Sequence, residues 1–421
     1  MTRCNEASRI ERSFREDAGR ALATLAKVLG DIDAAEDALQ DAYLVALERW
    51  PREGFPRNAS AWILTTAKNR AIDRLRRERR GREKLERLAA LEIAAPSEDP
   101  FASEREAMAG VPDDRLGLIF ACCHPALALE ARIALTLRTL GGLTTEEIAD
   151  AFLVPHATLS QRLVRVKRKI REAAIPLDIP PPERLPERLA DVACVLYLIF
   201  NEGYLASAGD RLVRFDLCDE AIRLARVLMQ LMPQEPEVMG LLALMLFHHS
   251  RRYARTDGTG NLIVLADQDR SLWDREAIEE ASALMTRAAR HRAEGPYQLQ
   301  AAIAGEHALA STPESVNWKR IAELYTRLAA AAPSPIVDLN RAVALGFAHG
   351  PGVGLRELDA LDDSMLIGYH PAFVARADML ERLGRVEEAR SAYGLALTMT
   401  QNSGERTYLQ RKLEALGPSA R

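Results

Sequence analysis

Between His156 and Arg171 the chain places six Lys and Arg residues and no Asp or Glu, in the run HATLSQRLVRVKRKIR. Guanidinium and ammonium groups at that density are suited to neutralising a polyanion, and the phosphates of a nucleic acid are the natural counter-charge. A second basic island runs from Arg57 to Arg87, with eleven Lys and Arg against four Asp and Glu. Within it Trp62 is followed by Lys68, Asn69, Arg70, Asp73, Arg74, Arg76 and Arg77. Aromatic and cationic groups so mixed can stack an exposed base while holding the backbone, although a lone Trp is more often a core residue. The whole chain carries a formal charge of −4, so what lies outside the islands is acidic in sum. Two basic islands in an acidic chain point to two contacts with a polyanion.

Other chemistries are poorly supported. At 421 residues, 48% hydrophobic and 28% charged, the chain has the composition of a soluble protein of several domains. No run of about 18 apolar residues occurs, and MTRCNEASRIERSF lacks the apolar core of a secretion signal, so a cytoplasmic protein without a membrane partner is expected. Its five cysteines, Cys4, Cys122, Cys123, Cys194 and Cys218, should then stay reduced. Adjacent Cys122, Cys123 and His124 lack the spacing and the four ligands of a zinc site and read as packing residues. The stretch RTDGTGNLIVLADQDRSLWDR offers Asp267, Asp269, Arg270, Trp273 and Asp274 but no His or Cys, and reads as a clamp between helical repeats. With no nucleophile, base or metal constellation, neither an enzyme nor a cofactor is expected.

The elements that must position the basic islands are helices nearly throughout, and the expected fold is all-α. In LTTEEIADAFLVPHATLSQRLVRVKRKI, Thr144 and Glu147 form a capping box, and a break at Val154 and Pro155 separates two helices. Leu159, Leu163, Val166 and Ile170 fall on one stripe of the second helix; Thr158, Gln161, Arg162, Arg165 and Lys169 fall opposite. That is a helix-turn-helix, whose second helix enters the major groove. Leu153 stands in its turn, where Gly is frequent. Upstream, DIDAAEDALQDAYLVALERW holds six acids and no base up to Glu48, with Ala35, Leu39, Ala42, Leu44 and Leu47 expected in the core. An acidic helix beside a basic one suggests a protein partner as well as a nucleic acid. Pro96 and Pro100 mark a linker, and five prolines from Pro176 to Pro186 mark a second, after which a new unit begins near Glu187. In that unit Ala221, Ala225, Leu228 and Pro233 share their offsets with Ile321, Tyr325, Leu328 and Pro333, and Ala389, Tyr393 and Ala396 repeat the first of them. The separations approach multiples of about 34, the tetratricopeptide period.

DAAEDALQDAYLVALERW, AWILTTAKNRAIDRLRRERR and LTTEEIADAFLVPHATLSQRLVRVKRKIREA, in that order, resemble the extracytoplasmic-function group of bacterial RNA polymerase sigma factors. The resemblance implies a sigma domain 2 over residues 8–90, a linker over 91–112, a sigma domain 4 over 113–174, a proline-rich linker over 175–186 and a tetratricopeptide-like regulatory domain over 187–417. It implies that Asp33, Glu36, Asp37, Gln40 and Asp41 dock on core RNA polymerase, whose β′ and β subunits are the protein partners. It assigns Trp62, Lys68, Asn69, Arg70, Asp73, Arg74, Arg76 and Arg77 to the −10 promoter element, with a flipped base held near Pro51 to Ser60. His156, Thr158, Ser160, Gln161, Arg162, Arg165 and Lys169 fall to the −35 element, where Ser160 and Gln161 depart from the commoner residues of the family. In the subgroup with such a tail, LYLIFNEGY and LADQDRSLWDR are also similar, and the tail governs activity, with a protein or small molecule as its regulator. The competing expectation is a helix-turn-helix transcriptional regulator with a repeat-type sensor domain, binding duplex sites as a homodimer.

Overall fold

The structure is a computed structural model that describes residues 19–54, 56, 58–77, 114–152, 154–204, 215–257, 263–361, 369–400 and 403–417, with backbone alone at 60, 75–77, 150, 151 and 403. Among these residues there is no β-strand, and the chain divides into two compact units, Met1–Leu198 and Ile199–Arg421. No described helix is long and apolar enough to cross a membrane.

The first unit opens with α1 (residues 19–29), which ends at Gly30 in the left-handed region (φ 64°). Asp31 then caps α2 (Ile32–Glu53), its carboxylate accepting from the backbone N–H groups of Asp33 and Ala34. α2 packs against α3 (Ala59–Arg77). Both helices meet this interface with small side chains, since Ala35, Ala38, Ala42, Ala46, Ala67 and Ala71 are all buried, which allows the helix axes to come close. The buried positions of α2 follow a three-and-four spacing from Ala35 to Trp50, and Leu44 and Leu47 lie off that stripe. They are 61% and 50% exposed, against the expectation that they join the core. Any extension of α3 to Ala90, the linker at 91–112 and residues 8–17 lie outside the described residues.

The chain resumes as α4 (Arg115–Cys122), α5 (Leu129–Thr139), α6 (Thr145–Ala151) and α7 (His156–Glu172). The expected capping box closes the start of α6: Thr144 Oγ1 accepts from Glu147 N, and Glu147 Oε2 accepts from Thr144 N. Leu159, Leu163, Val166 and Ile170 of α7 are each at most 5% exposed. Burial of four such side chains contributes on the order of 1.5 to 3 kcal/mol each, so this stripe holds α7 to its domain. The proline-rich stretch after α7 is fastened as well. Ile175 is buried, and the Leu177 backbone lies so close to α4 that only glycine fits at position 117. α8 (Leu185–Tyr204) follows, and Arg188 in its first turns donates to the carbonyl of Phe120 while Asp191 pairs with Arg132 at 3.0 Å.

The second unit is built from packed helices: α9 (Phe215–Leu231), α10 (Pro236–His249), α11 (Arg275–Ala289), α12 (Pro296–Leu309), α13 (Trp318–Ala331), α14 (Pro335–His349), α15 (Pro351–Asp359), α16 (His370–Arg382), α17 (Val386–Met399) and α18 (Ser403–Ala415). Neighbours in sequence pack against each other, as α9 with α10, α13 with α14 and α16 with α17. Most positions singled out by their offsets are core positions: Ala221, Ala225, Leu228, Ile321, Leu328, Ala389, Tyr393 and Ala396 are buried and Tyr325 packs at the edge of the Ile321 core, whereas Pro233 and Pro333 are exposed. Pro236, Pro296 and Pro335 each open a helix, where the missing N–H is not needed. The stretch from Ile263 to Asp274 is fastened to the helices beside it. Its Trp273 is buried, Asp274 caps α11 by accepting from Ala277 N, and Arg270 donates to the carbonyls of His307 and Ala310 at the end of α12.

Candidate nucleic-acid interface

Helix α7 starts at Pro155, and with its apolar stripe turned inward it presents a polar face. His156, Thr158, Gln161 and Arg165 are exposed, whereas Ser160 and Arg162 are half-buried at the edge. Neither Arg162 nor Arg165 has an ion-pair partner among the described residues. His156 Nε2 lies 3.0 Å from Glu146 Oε1, which ties the start of α7 to α6. Lys169 instead folds back and donates to the carbonyl of Ala126. The basic residues of this helix therefore serve different ends, and those nearest its N-terminus are the ones open to a ligand. Leu153, the turn residue, lies outside the described residues.

On α3, Asn69, Arg70, Asp73 and Arg74 are exposed and Lys68 is half-buried. The Trp62 ring meets Trp50 edge-on with centroids 5.4 Å apart, and Trp62 keeps part of its surface in solvent while Trp50 is buried. The two readings of Trp62 thus combine, a base packed on one side and an accessible flank. Arg76 and Arg77 lie in the last turn of α3, and their side chains are outside the described residues.

The five acids and amides of α2 separate into three groups. Gln40 and Asp41 are exposed beside Leu44 and Leu47, forming a face that is acidic and apolar at once. Asp37 pairs with Arg74 of α3 at 2.7 Å, both side chains about half exposed. Asp33 and Glu36, by contrast, are engaged by α7: Lys167 Nζ sits 2.7 Å from Glu36 Oε2 and 3.2 Å from Asp33 Oδ1. Lys167 and Glu36 are only 11% and 15% exposed, so this pair is shielded from the solvent and salt that weaken surface ion pairs. Arg171 adds a contact to Asp31 at 2.9 Å, and Lys27 of α1 reaches Asp114 at 2.8 Å. Reading the sequence missed Lys167 and Arg171 as structural residues. The available signal was position, since Lys167 follows Leu163 by four and Val166 by one and so flanks the buried stripe.

Cys122 and Cys123 pack as expected. Both are fully buried, Cys122 Sγ is 3.2 Å from Thr139 Oγ1, and Cys123 Sγ is 3.6 Å from Thr136 Oγ1. Burial pushes the Cys123 thiol up to about 12 and the Cys122 thiol higher still, so neither supplies a thiolate. Among the described residues no group of three or more His, Cys, Asp or Glu could hold a metal ion.

Comparison with known proteins places the same segments in families. Residues 14–81 match Sigma-70 region 2, residues 118–170 match Sigma-70 region 4, and residues 188–289 match a family of unknown function, DUF6596. An uncharacterized protein of Rhizobium meliloti (strain 1021) is 43% identical over 399 residues, 94% of this chain and 93% of its own. The ECF RNA polymerase sigma factor SigK of Mycobacterium ulcerans (strain Agy99) is 30% identical over 156 residues, 36% of this chain and 78% of that protein. SigK of Mycobacterium tuberculosis (strain ATCC 25618 / H37Rv) is 29% identical over the same length. No solved structure matches the chain. The two matched sigma regions fall on α1–α3 and α4–α7, the helices that carry both basic islands, and the chain belongs to the ECF RNA polymerase sigma factors.

Proposed function

We propose that the chain brings core RNA polymerase to specific promoters, using α2 to hold the polymerase, α3 for the −10 element and α7 for the −35 element, under the control of its helical tail. The observation that carries this reading is the row Gln40, Asp41, Leu44 and Leu47 on α2. Apolar side chains at 61% and 50% exposure beside an acid have no use in a protein that binds only DNA, and they suit a partner surface that is basic at its rim and apolar at its centre. On this reading residues 8–90 act as sigma domain 2, residues 113–174 as sigma domain 4, and residues 187–417 as a tetratricopeptide-like regulatory domain. The helix pairs and the buried positions at the recurring offsets support that last assignment.

The Lys167 contact has a consequence for this role. A polymerase surface that uses Asp33 and Glu36 competes with α7 for the same carboxylates. Engagement of the polymerase then releases α7 from α2 and separates the two promoter-binding helices. The test is the charge and shape of the open face. Asp41→Lys combined with Leu44→Ser should weaken core binding at least tenfold while leaving duplex binding by α7 unchanged, because like charge replaces complementary charge. Undiminished core binding by this variant refutes the assignment of α2.

A further inference from the structure

Two arginines of the second unit, Arg251 and Arg255, are buried and a third, Arg270, stands half-buried, with no ion-pair partner among the described residues. Arg255 and Arg251, in the turn that follows α10, are 5% and 9% exposed. Arg255 lays its guanidinium 3.4 Å from the centre of the Tyr204 ring and donates to the Tyr204 carbonyl. Arg251 Nη2 donates to Tyr204 Oη at 2.6 Å and to His248 Nδ1 at 3.0 Å. Arg270 stacks 4.3 Å from the Trp273 ring with its Nη1 on the carbonyls of His307 and Ala310, and its Nε is sealed from solvent without a partner. Of the acids nearby, Asp219 pairs with His249 and Asp274 with Arg252, each at 2.9 Å, while the exposed Glu314 acts on Arg270 only from beyond ion-pair distance. Among the described residues no carboxylate lies within ion-pair distance of Arg251, Arg255 or Arg270.

Arginine cannot shed its proton, so the two enclosed guanidiniums, with the half-buried one of Arg270 near them, leave positive charge that cation–π contacts and neutral acceptors meet only in part. The surroundings register this charge. Burial, reinforced by Arg251 and Arg270, holds His307 down to about 4, and burial with Arg251 and Arg255 holds His248 well below its ordinary range. Arg251 and Arg255 each commit only one terminal nitrogen to the protein. Their other nitrogens have no hydrogen-bond partner among the described residues.

We propose that this cluster binds a small molecule bearing an oxyanion, with a phosphate or carboxylate group seated on the guanidinium forks of Arg251 and Arg255 and Arg270 contributing charge behind them. Charge-assisted, forked hydrogen bonds are the strongest contacts such side chains make, and a single tetrahedral or planar oxyanion satisfies several donors at once. Occupancy would tie α8, the turn after α10 and the stretch at 263–274 to one ligand. The site stands whether or not the tail controls transcription.

The test is ligand-dependent melting of the full chain at fixed ionic strength and pH 7.5, with inorganic phosphate, pyrophosphate and citrate each set against chloride. At about ten times its dissociation constant a bound anion should raise the melting temperature of the tail by about 3 °C or more. Arg255→Lys and Arg251→Lys keep the charge but remove the fork, and each should weaken the response about tenfold. Arg226→Gln, which breaks an exposed pair with Glu280, should leave the response intact and so separates binding from general salt stabilisation. A response to phosphates alone identifies a phosphorylated ligand, and a response to citrate alone a carboxylate. No anion-specific shift, as would follow if a carboxylate of this chain already neutralises the arginines, overturns the proposal. A full response in both lysine variants overturns it equally.

Discussion

At the scale of single residues, the charged side chains of this protein do work that their number alone does not reveal. Of the six bases between His156 and Arg171, Lys167 and Arg171 hold α2, Lys169 holds the Ala126 carbonyl, and Arg168 pairs with Glu172 of its own helix. On the proposed reading, Arg162 and Arg165 are the ones left for DNA. Arg165→Ala should therefore cost about 1 to 3 kcal/mol of −35 affinity, whereas Lys169→Ala should cost little, as a filter-binding titration over promoter duplexes would show. Equal losses in the two variants would remove the distinction. A second residue-level expectation concerns acid. His307 has its folded pKa lowered from 6.5 to about 4 by burial, with Arg251 and Arg270 adding to it, so the unfolded chain takes up the proton first. The stability of the tail is then full above about pH 6.5 and falls as pH drops toward 4, by a total on the order of 3 kcal/mol from this group. His307→Gln should flatten that limb of the stability curve, measured by denaturant titration between pH 7 and pH 4.5.

Between elements, the contact that matters most is the one joining α7 to α2, and it was the hardest to read in advance. The inward stripe of α7, the capping box of α6 and the burial of Cys122 and Cys123 were all legible, because each depends on residues within one or two turns. The polar face of α7 was legible as a face but not residue by residue. Glu36 and Lys167 stand 131 positions apart, and no local pattern predicts that their helices meet. Leu44 and Leu47 were misassigned for a related reason: leucines on an amphipathic helix read as core unless the alanine stripe beside them is recognised as the true interface. The linkers were also only half legible. Four of the five prolines lie outside any helix, but Pro186 falls in the first turn of α8, and the segment at 175–178 is packed on α4 through Ile175 and Leu177. The α7–α2 contact yields its own prediction. Lys167→Glu replaces attraction by repulsion at Asp33 and Glu36, so α7 should separate from α2 and core polymerase should bind several-fold faster. Stopped-flow association of core with this variant checks it, and an unchanged rate would show that the contact does not compete with the polymerase.

For the whole molecule, the question is what a tail of more than two hundred residues adds to two sigma domains. The clasp formed by Leu177, Arg188 and Asp191 shows where a fair truncation must fall. Ending the chain after Ala174 would strip α4 of its cover, whereas ending it after Leu198 keeps the first unit whole. The Leu198 truncation should bind core polymerase as the full chain does and lose promoter-specific transcription, which is the outcome expected if the tail supplies a contact needed for initiation. The buried arginines of the tail were not legible in advance, since Arg251 and Arg255 look like ordinary surface residues until helix packing encloses them. In the proposed role this chain is the promoter-recognising subunit of a polymerase. Its most direct test is to combine the full chain with core RNA polymerase on genomic DNA fragments and map the 5′ ends of the transcripts. Discrete starts are expected, each downstream of a shared pair of −35 and −10 sequences, that vanish with Asp41→Lys/Leu44→Ser. Duplex binding by the chain without any chain-dependent start would contradict it.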